Sequence, residues 1–260
     1  MIKRKQKLGL ADLLILCCVL LTLVPFITIV INSFYQVDIG ISFQPYYDVF
    51  LGSPQYLLRF WKSLGICTCI AVGQVVVSLL AGYGFARYDF FGKNLLFFLL
   101  MVLMVLPLQV TLVPNYIMLH KLDLLGTDWS LILPCIFLPL GTFIMTQSIK
   151  TIPIELIQDA RLNGCSILQV LLHVVLPLNK GSLICVGLLS FLDAWNMVEQ
   201  PIAYLKDFDK YPISVALAYV SNSNPIGQFV CCILVMIPPL FLFSCFNKEM
   251  VQGIVFSEER

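Results

Sequence analysis

The residues of this chain best spaced to act together lie in a polar island, Thr151-Ile-Pro-Ile-Glu-Leu-Ile-Gln-Asp-Ala-Arg-Leu-Asn-Gly-Cys-Ser-Ile-Leu-Gln169, which runs on to Leu176-Pro177. Glu155 and Asp159 are four apart and share one face of a helix, while Ala160 and Gly164 share another. Carboxylates so placed can pair with basic side chains of a partner, and small residues let a partner backbone come close; the alternative is an ordinary amphipathic loop. Bond-making chemistry finds no comparable set. His120 and His173, the 2 histidines, each lack a companion at catalytic or metal-ligand spacing, and His173 falls in the island as a structural residue. Gly92-Lys93-Asn94 lacks the upstream glycine and the hydroxyl of a phosphate-binding loop. The 10 cysteines lie almost wholly in or beside apolar runs, where thiols behave as small hydrophobes, and Cys67-x-Cys69 has no His or carboxylate nearby. The chain is expected not to be an enzyme, with no catalytic residues, no metal site and no cofactor of its own.

A second group of polar residues falls within or beside apolar stretches, where a charge at mid-membrane costs about 2.5–3.5 kcal/mol on insertion scales. Gln74, Gln109, Asn115, Asp193, Trp195 and Asn196 are the candidates for a solute pathway. Gln74 and Gln109 either line such a pathway or hydrogen-bond between helices. Asp193-Ala-Trp-Asn196 sets acid, indole and amide together, a chemistry suited to sugars and equally typical of an interfacial aromatic belt.

The elements that must position these residues are membrane helices. Hydrophobic content of 59%, 12% charge and a mean hydropathy of +0.92 leave too few polar residues to surface a soluble domain. The apolar residues come in runs of about 20, the length that spans a bilayer. Six spans are expected, at about 8–33, 63–85, 95–113, 131–148, 181–194 and 226–246, in one all-α polytopic domain over residues 1–260. The first is read as a retained helix, being too long for a signal peptide and lacking a cleavage site. Pro25, Pro107, Pro114, Pro134, Pro139, Pro238 and Pro239 crowd the spans. Ser78, Ala81, Gly82 and Gly84 give the second a small-residue face suited to close packing. A net charge of +1 says nothing of partners, but its distribution does: with the N-terminus inside, 11 of the 16 Lys and Arg lie on the inner side. Lys3, Arg4, Lys5, Lys7, Arg87, Lys93, Lys150, Arg161, Lys180, Lys248 and Arg260 face Arg59, Lys62, Lys121, Lys206 and Lys210 across the membrane. Both termini and the island at 151–177 are therefore expected to be cytoplasmic.

Locally the island predicts two short helices around a glycine break. Pro153 suits a first helical position, with Glu155 in the positive first turn. Asn163-Gly164 is a stop, Ser166-Ile-Leu-Gln169 a capping box that restarts the helix, and Pro177 a limit on its length.

Pro153, Glu155, Leu156, Ala160, Asn163, Gly164, Leu176 and Pro177 stand at the spacing of P-x-E-L-x-E-A-A-x-x-D/N-G followed by Leu-Pro. Here the chain resembles the cytoplasmic coupling loop of binding-protein-dependent ABC importer permeases, of the carbohydrate type similar to the maltose transporter. Ala81-Gly-Tyr-Gly-Phe-Ala-Arg87, Leu106-Pro-Leu-Gln-Val-Thr-Leu-Val-Pro114, Leu125-Gly-Thr-Asp-Trp-Ser-Leu-Ile-Leu-Pro134 and Ser190-Phe-Leu-Asp-Ala-Trp-Asn196 with Pro201 extend the resemblance over most of the chain. It implies a type I importer permease fold in a prokaryotic cytoplasmic membrane, with ATP and Mg held by separate ABC ATPase subunits. The implied partners are those ATPases, a second homologous permease and an extracytoplasmic solute-binding protein, with no nucleic acid. Glu155, Gln158, Asp159, Ala160, Arg161 and Gly164 would face the ATPase, and the cargo would be a sugar, oligosaccharide or related polar solute. The alternatives are a divergent permease for a non-sugar solute or one working without a binding protein, and a non-transporting scaffold or regulatory subunit. The chain departs from the pattern at Gln158-Asp159, where the family has Glu-Ala, at Met197-Val-Glu-Gln-Pro201, and in its tail Phe256–Arg260.

Overall fold

The computed structural model describes residues 10–36, 40–49, 54–220 and 225–255. The basic Lys3, Arg4, Lys5 and Lys7, the first two residues of the expected first span, and the tail at 256–260 lie outside the described residues. The described chain is helical except for one short hairpin, and it divides into two compact units.

The first unit comprises residues 1–57 and 217–237. Helix α1 (Leu10–Phe34) carries long apolar side chains that remain exposed, such as Leu21 and Leu14, as a helix facing lipid requires. A hairpin follows, β1 (Tyr35–Gln36) antiparallel to β2 (Gly40–Ile41), then the short α2 (Gln44–Tyr47). The Ser33 hydroxyl, fully buried, lies 2.8 Å from the Tyr46 hydroxyl, and Phe34 packs on Phe43 and Tyr46. Val49, Val230 and Cys231 form the small core of this unit.

The second unit, residues 58–216 and 238–260, holds both groups of candidate residues. Helix α3 (Pro54–Arg87) begins nine residues before the expected start at 63, because Arg59 and Lys62, which read as loop, are satisfied from elsewhere in the chain. Arg59 donates to Asp209 at 3.3 Å and lies over the Phe208 ring, and Lys62 pairs with Asp128 at 2.8 Å. Lys210 Nζ donates to the Gly126 carbonyl, and the Ile213 amide donates to Ser63 Oγ. At the other end of α3, Arg87 bonds the carbonyls of Ile149 and Ile152. Residues 59 and 87 are separated by about 42 Å of helix at 1.5 Å per residue.

The span expected at 95–113 is not one straight helix. It is α4 (Lys93–Val105) and α5 (Leu108–Lys121), bent by 109°. Pro107 lacks the amide to continue α4 and pushes Leu106 out to an extended ψ of 131°. Helices α6 (Trp129–Ile136) and α7 (Pro139–Lys150) together cover the fourth expected span, interrupted before Pro139. α8 (Ile154–Leu162) follows, then α9 (Ile167–Val170), a π turn over Leu171–Val175 and α10 (Leu176–Leu178) in one run. α11 (Lys180–Trp195) leaves that run at 84°. α12 (Glu199–Tyr204) and α13 (Ile213–Val220) precede α14 (Pro225–Val255), which outruns the expected 226–246 and kinks at Phe246. Among the described residues, four helical stretches are long and apolar enough to cross a membrane, and up to six if each bent pair counts as one.

The core of this unit lies beneath the island. Ile157, Val170, Leu171 and Val175 pack with Tyr83 of α3, Met145 and Ile149 of α7, and Leu183 and Val186 of α11. Where α3 crosses α7, a Cβ on Gly82 would come within 2.7 Å of Met145 Cβ and 3.0 Å of the Thr146 amide nitrogen, so only glycine admits this approach. Gly84, two residues on, meets nothing within 4 Å.

Candidate functional site

The island folds as a hook standing on that core. α8 is held from below by a single stripe, Ile157 buried at 4% exposure and Ala160 half-buried, three residues apart. It starts one residue later than expected, with Pro153 as the N-cap and Glu155 in the first turn. Its end is a Schellman motif: Gly164 at φ +83° donates to the Arg161 carbonyl, and Cys165 donates to the Ala160 carbonyl. Ser166 then caps α9 as expected, its hydroxyl accepting from the Gln169 amide while the Gln169 side chain accepts from the Ser166 amide. The π turn precedes Pro177, whose ring would otherwise press on the carbonyl four residues back, and the run continues through Pro177 to Leu178 before turning at Asn179.

Of the residues expected to meet a partner, Glu155, Gln158, Asp159, Arg161 and Gly164 are exposed. Glu155 and Asp159 form no ion pair among the described residues, so both carboxylates are free to bind outward. A Cβ at Gly164 would meet nothing within 4 Å, so the space above it is open. Ala160 is half-buried and packs with Cys165 against the core. Leu162, 86% exposed, joins Ile154, Leu156, Ile167 and Leu168 as apolar side chains that the hook leaves exposed.

Both roots of the hook are tied. The Arg87 guanidinium donates to Ile149 O at 2.6 Å and to Ile152 O, bridging the joint from α7 into α8. At the exit, Ser148 of α7 hydrogen-bonds Asn179 and Ser182, and Asn179 Nδ2 donates to the Val175 carbonyl. On the exposed side, Arg161 Nη2 donates to the Tyr88 hydroxyl at 2.9 Å, which holds the guanidinium more firmly charged than usual. Arg87, Tyr88 and Asn179 were missed as site residues. Arg87 is the only basic residue in the last turn of α3 and closes the Ala81–Arg87 segment of the resemblance, the two signals it offers in the sequence.

Gln74, 3% exposed, and Asp193 line one shallow cleft with Gly141 and Ser190, enclosing about 250 Å³ with its open mouth. Gln74 Nε2 donates at 3.3 Å to the carbonyl of Leu138, the N-cap of α7, and its Oε1 is buried without a partner. Gln109 Nε2 donates to both oxygens of Glu199, at 2.9 and 3.1 Å. The Tyr204 hydroxyl donates to the Leu112 carbonyl at 3.3 Å, one turn before Asn115 on α5. Asn196 bonds back to the Leu192 carbonyl of its own helix. Trp195 is 2% exposed, stacked on Phe191 at 5.6 Å and edge-on to Phe60 at 5.8 Å, so its ring faces the protein interior.

The model of the family described as binding-protein-dependent transport system inner membrane component matches residues 74–254. The arabinooligosaccharides transport system permease protein AraQ of Bacillus subtilis is 28% identical over 218 residues, covering 82% of this chain and 77% of that protein. The sn-glycerol-3-phosphate transport system permease protein UgpE of Pectobacterium atrosepticum is 27% identical over 210 residues, covering 78% and 74%. Among solved structures, a chain of a bacterial ABC transporter involved in the import of the acidic polysaccharide alginate matches with a TM-score of 0.80 at 19% identity, over 95% of this chain and 98% of that one.

Proposed function

Since this chain belongs to the family of binding-protein-dependent transport system inner membrane components, we propose that it is one of two permease subunits of an ABC importer for a sugar, oligosaccharide or related polar solute. The observation that carries the reading is the hook: a capped, rigid helix that presents two unpaired carboxylates, an open glycine and exposed apolar side chains from a base locked into the helices. Such a surface fits a protein partner, and in this reading the partner is an ATPase that binds ATP and Mg. Closure of the ATPases moves the hook, and the helices rock between inward- and outward-facing states. A solute biases that equilibrium only through its differential affinity for the two.

The whole chain serves as one permease domain in the prokaryotic cytoplasmic membrane, with six spans and both termini inside. The contacts at the two ends of α3 support that count. Loops at 126–128 and 207–210 meet its 59–63 end, while 149–161 meets its 87–88 end. Each of α4–α5, α6–α7 and α11 therefore runs between opposite ends of a helix longer than the roughly 30 Å hydrocarbon core. The solute-binding protein docks on the outer side, and a second permease completes the pathway.

Affinity purification of the tagged chain from its native membrane tests this. It should bring down an ABC ATPase and a second permease, and ATP hydrolysis by that complex should rise with solute only when the extracytoplasmic binding protein is added. Recovery without any ATPase would sink the reading.

A further inference from the structure

We propose that the tip of α3, through Arg87 and Tyr88, is the grip that carries movement of the hook into a span to which the hook has no covalent link. The inference rests on the reading that the hook meets an ATPase.

The hook is joined by backbone to α7 and, past Asn179, to α11. A lever held only at those joints could swivel about Thr151–Pro153 without moving the membrane helices, because the joint itself is a turn. Arg87 removes that freedom. Its two acceptors stand on either side of the joint: Ile149 in the last turn of α7, at the negative end of the helix dipole, whose carbonyl also accepts from the Ile152 amide, and Ile152 at the entry to α8. One planar guanidinium bonded to both fixes the angle between the two segments and ties both to α3.

A second contact grips the hook's exposed side. The Tyr88 ring meets the buried Tyr83 edge-on at 5.8 Å, and Arg161 of α8 both donates to its hydroxyl and lies over its face at 5.8 Å. Tyr83, Tyr88 and Arg161 thus form a stack from the core to the hook surface. Further along α3, Gly82 rests on the backbone of α7 at Met145–Thr146, so a shift of the tip is passed on by direct backbone contact. Arg161 is in this account a positioning residue, held toward α3 and not toward the ATPase.

The test uses the full importer complex purified with its ATPases, carrying an environment-sensitive fluorophore on α3 through Leu80→Cys, which is exposed, with the exposed Cys17, Cys18, Cys69 and Cys245 changed to serine. Addition of Mg-ATP with vanadate should shift the fluorescence. Arg87→Gln and the pair Tyr88→Phe/Arg161→Gln should each reduce the amplitude at least about five-fold while retaining the ATPases, and Arg87→Lys should keep most of it. If Arg87→Gln fails to assemble, the exposed Tyr88/Arg161 pair decides. Full amplitude in the broken variants with ATPases bound overturns the grip, as does a parent complex that binds ATPases yet shows no shift. A parent that binds no ATPase overturns the importer reading on which the grip stands.

Discussion

At the scale of single residues, the hook separates what the chain needs for itself from what it offers outward. Gly164 does both. Its φ of +83° lies where side chains other than Asn and Asp fit poorly, so Gly164→Ala should cost about 1 kcal/mol of local stability, seen as a lower melting temperature of the purified chain. Aspartate tolerates that conformation better, yet it sets a charged side chain in the open space above the glycine. Gly164→Asp should therefore melt no lower than Gly164→Ala, insert normally, and abolish ATPase retention and uptake. If uptake survives unchanged, this face is not the docking surface. The acids divide in the same way. Gln158 and Asp159 stand where the family has Glu-Ala, and one residue turns a side chain about 100° around a helix, so position alone does not transfer the role. Asp159 is nonetheless exposed and unpaired, on the same side as Glu155. Asp159→Ala should weaken ATPase retention about ten-fold in a pull-down titration, as loss of a hydrogen bond to a charged group does, with Gln158→Ala far milder.

At the scale of elements, the two glycines of the α3 tip make opposite predictions from near-identical sequence context. A methyl group on Gly82 collides with Met145 Cβ and the backbone of α7, whereas one on Gly84 meets nothing. Gly82→Ala should destabilise the purified chain by about 1–3 kcal/mol and Gly84→Ala should leave it unchanged or slightly more stable, measured by thermal unfolding in one detergent. Sequence alone shows a small-residue face but cannot choose between these two, because the choice is made by a helix more than fifty residues away. The hook was legible for the converse reason. An Asn-Gly stop, a Ser-x-x-Gln box and an acid in the first turn all act over three to five residues, and the fold realises each of them. What stayed hidden depends on distant partners. Arg59 and Lys62 look like loop until Asp209 and Asp128 arrive to hold them inside α3. Pro107 announces a break but not its 109° angle. Trp195 beside an acid and an amide gives no sign in the sequence that Phe60 packs edge-on against it.

At the scale of the whole molecule, the bent pair α4–α5 carries the topology. By length and angle alone it reads either as one broken span or as a loop that enters the membrane and leaves on the same side. The two alternatives differ in where the 122–128 loop lies. A re-entrant loop would return it to the side of Tyr88, while a span delivers it to the other. The ties of Gly126 to Lys210 and of Asp128 to Lys62 put this loop at the 59–63 end of α3, about 42 Å of helix from Arg87. The six-span topology proposed above takes the pair as a crossing, which accommodates that separation. In intact cells a membrane-impermeant maleimide should therefore modify Asp123→Cys, since Asp123 is exposed in that loop, and should reach Asp159→Cys in the hook only after permeabilisation. Equal labelling of both from outside would reverse the parity of every later span, carry the hook out of reach of ATP, and remove the importer mechanism along with the six-span topology.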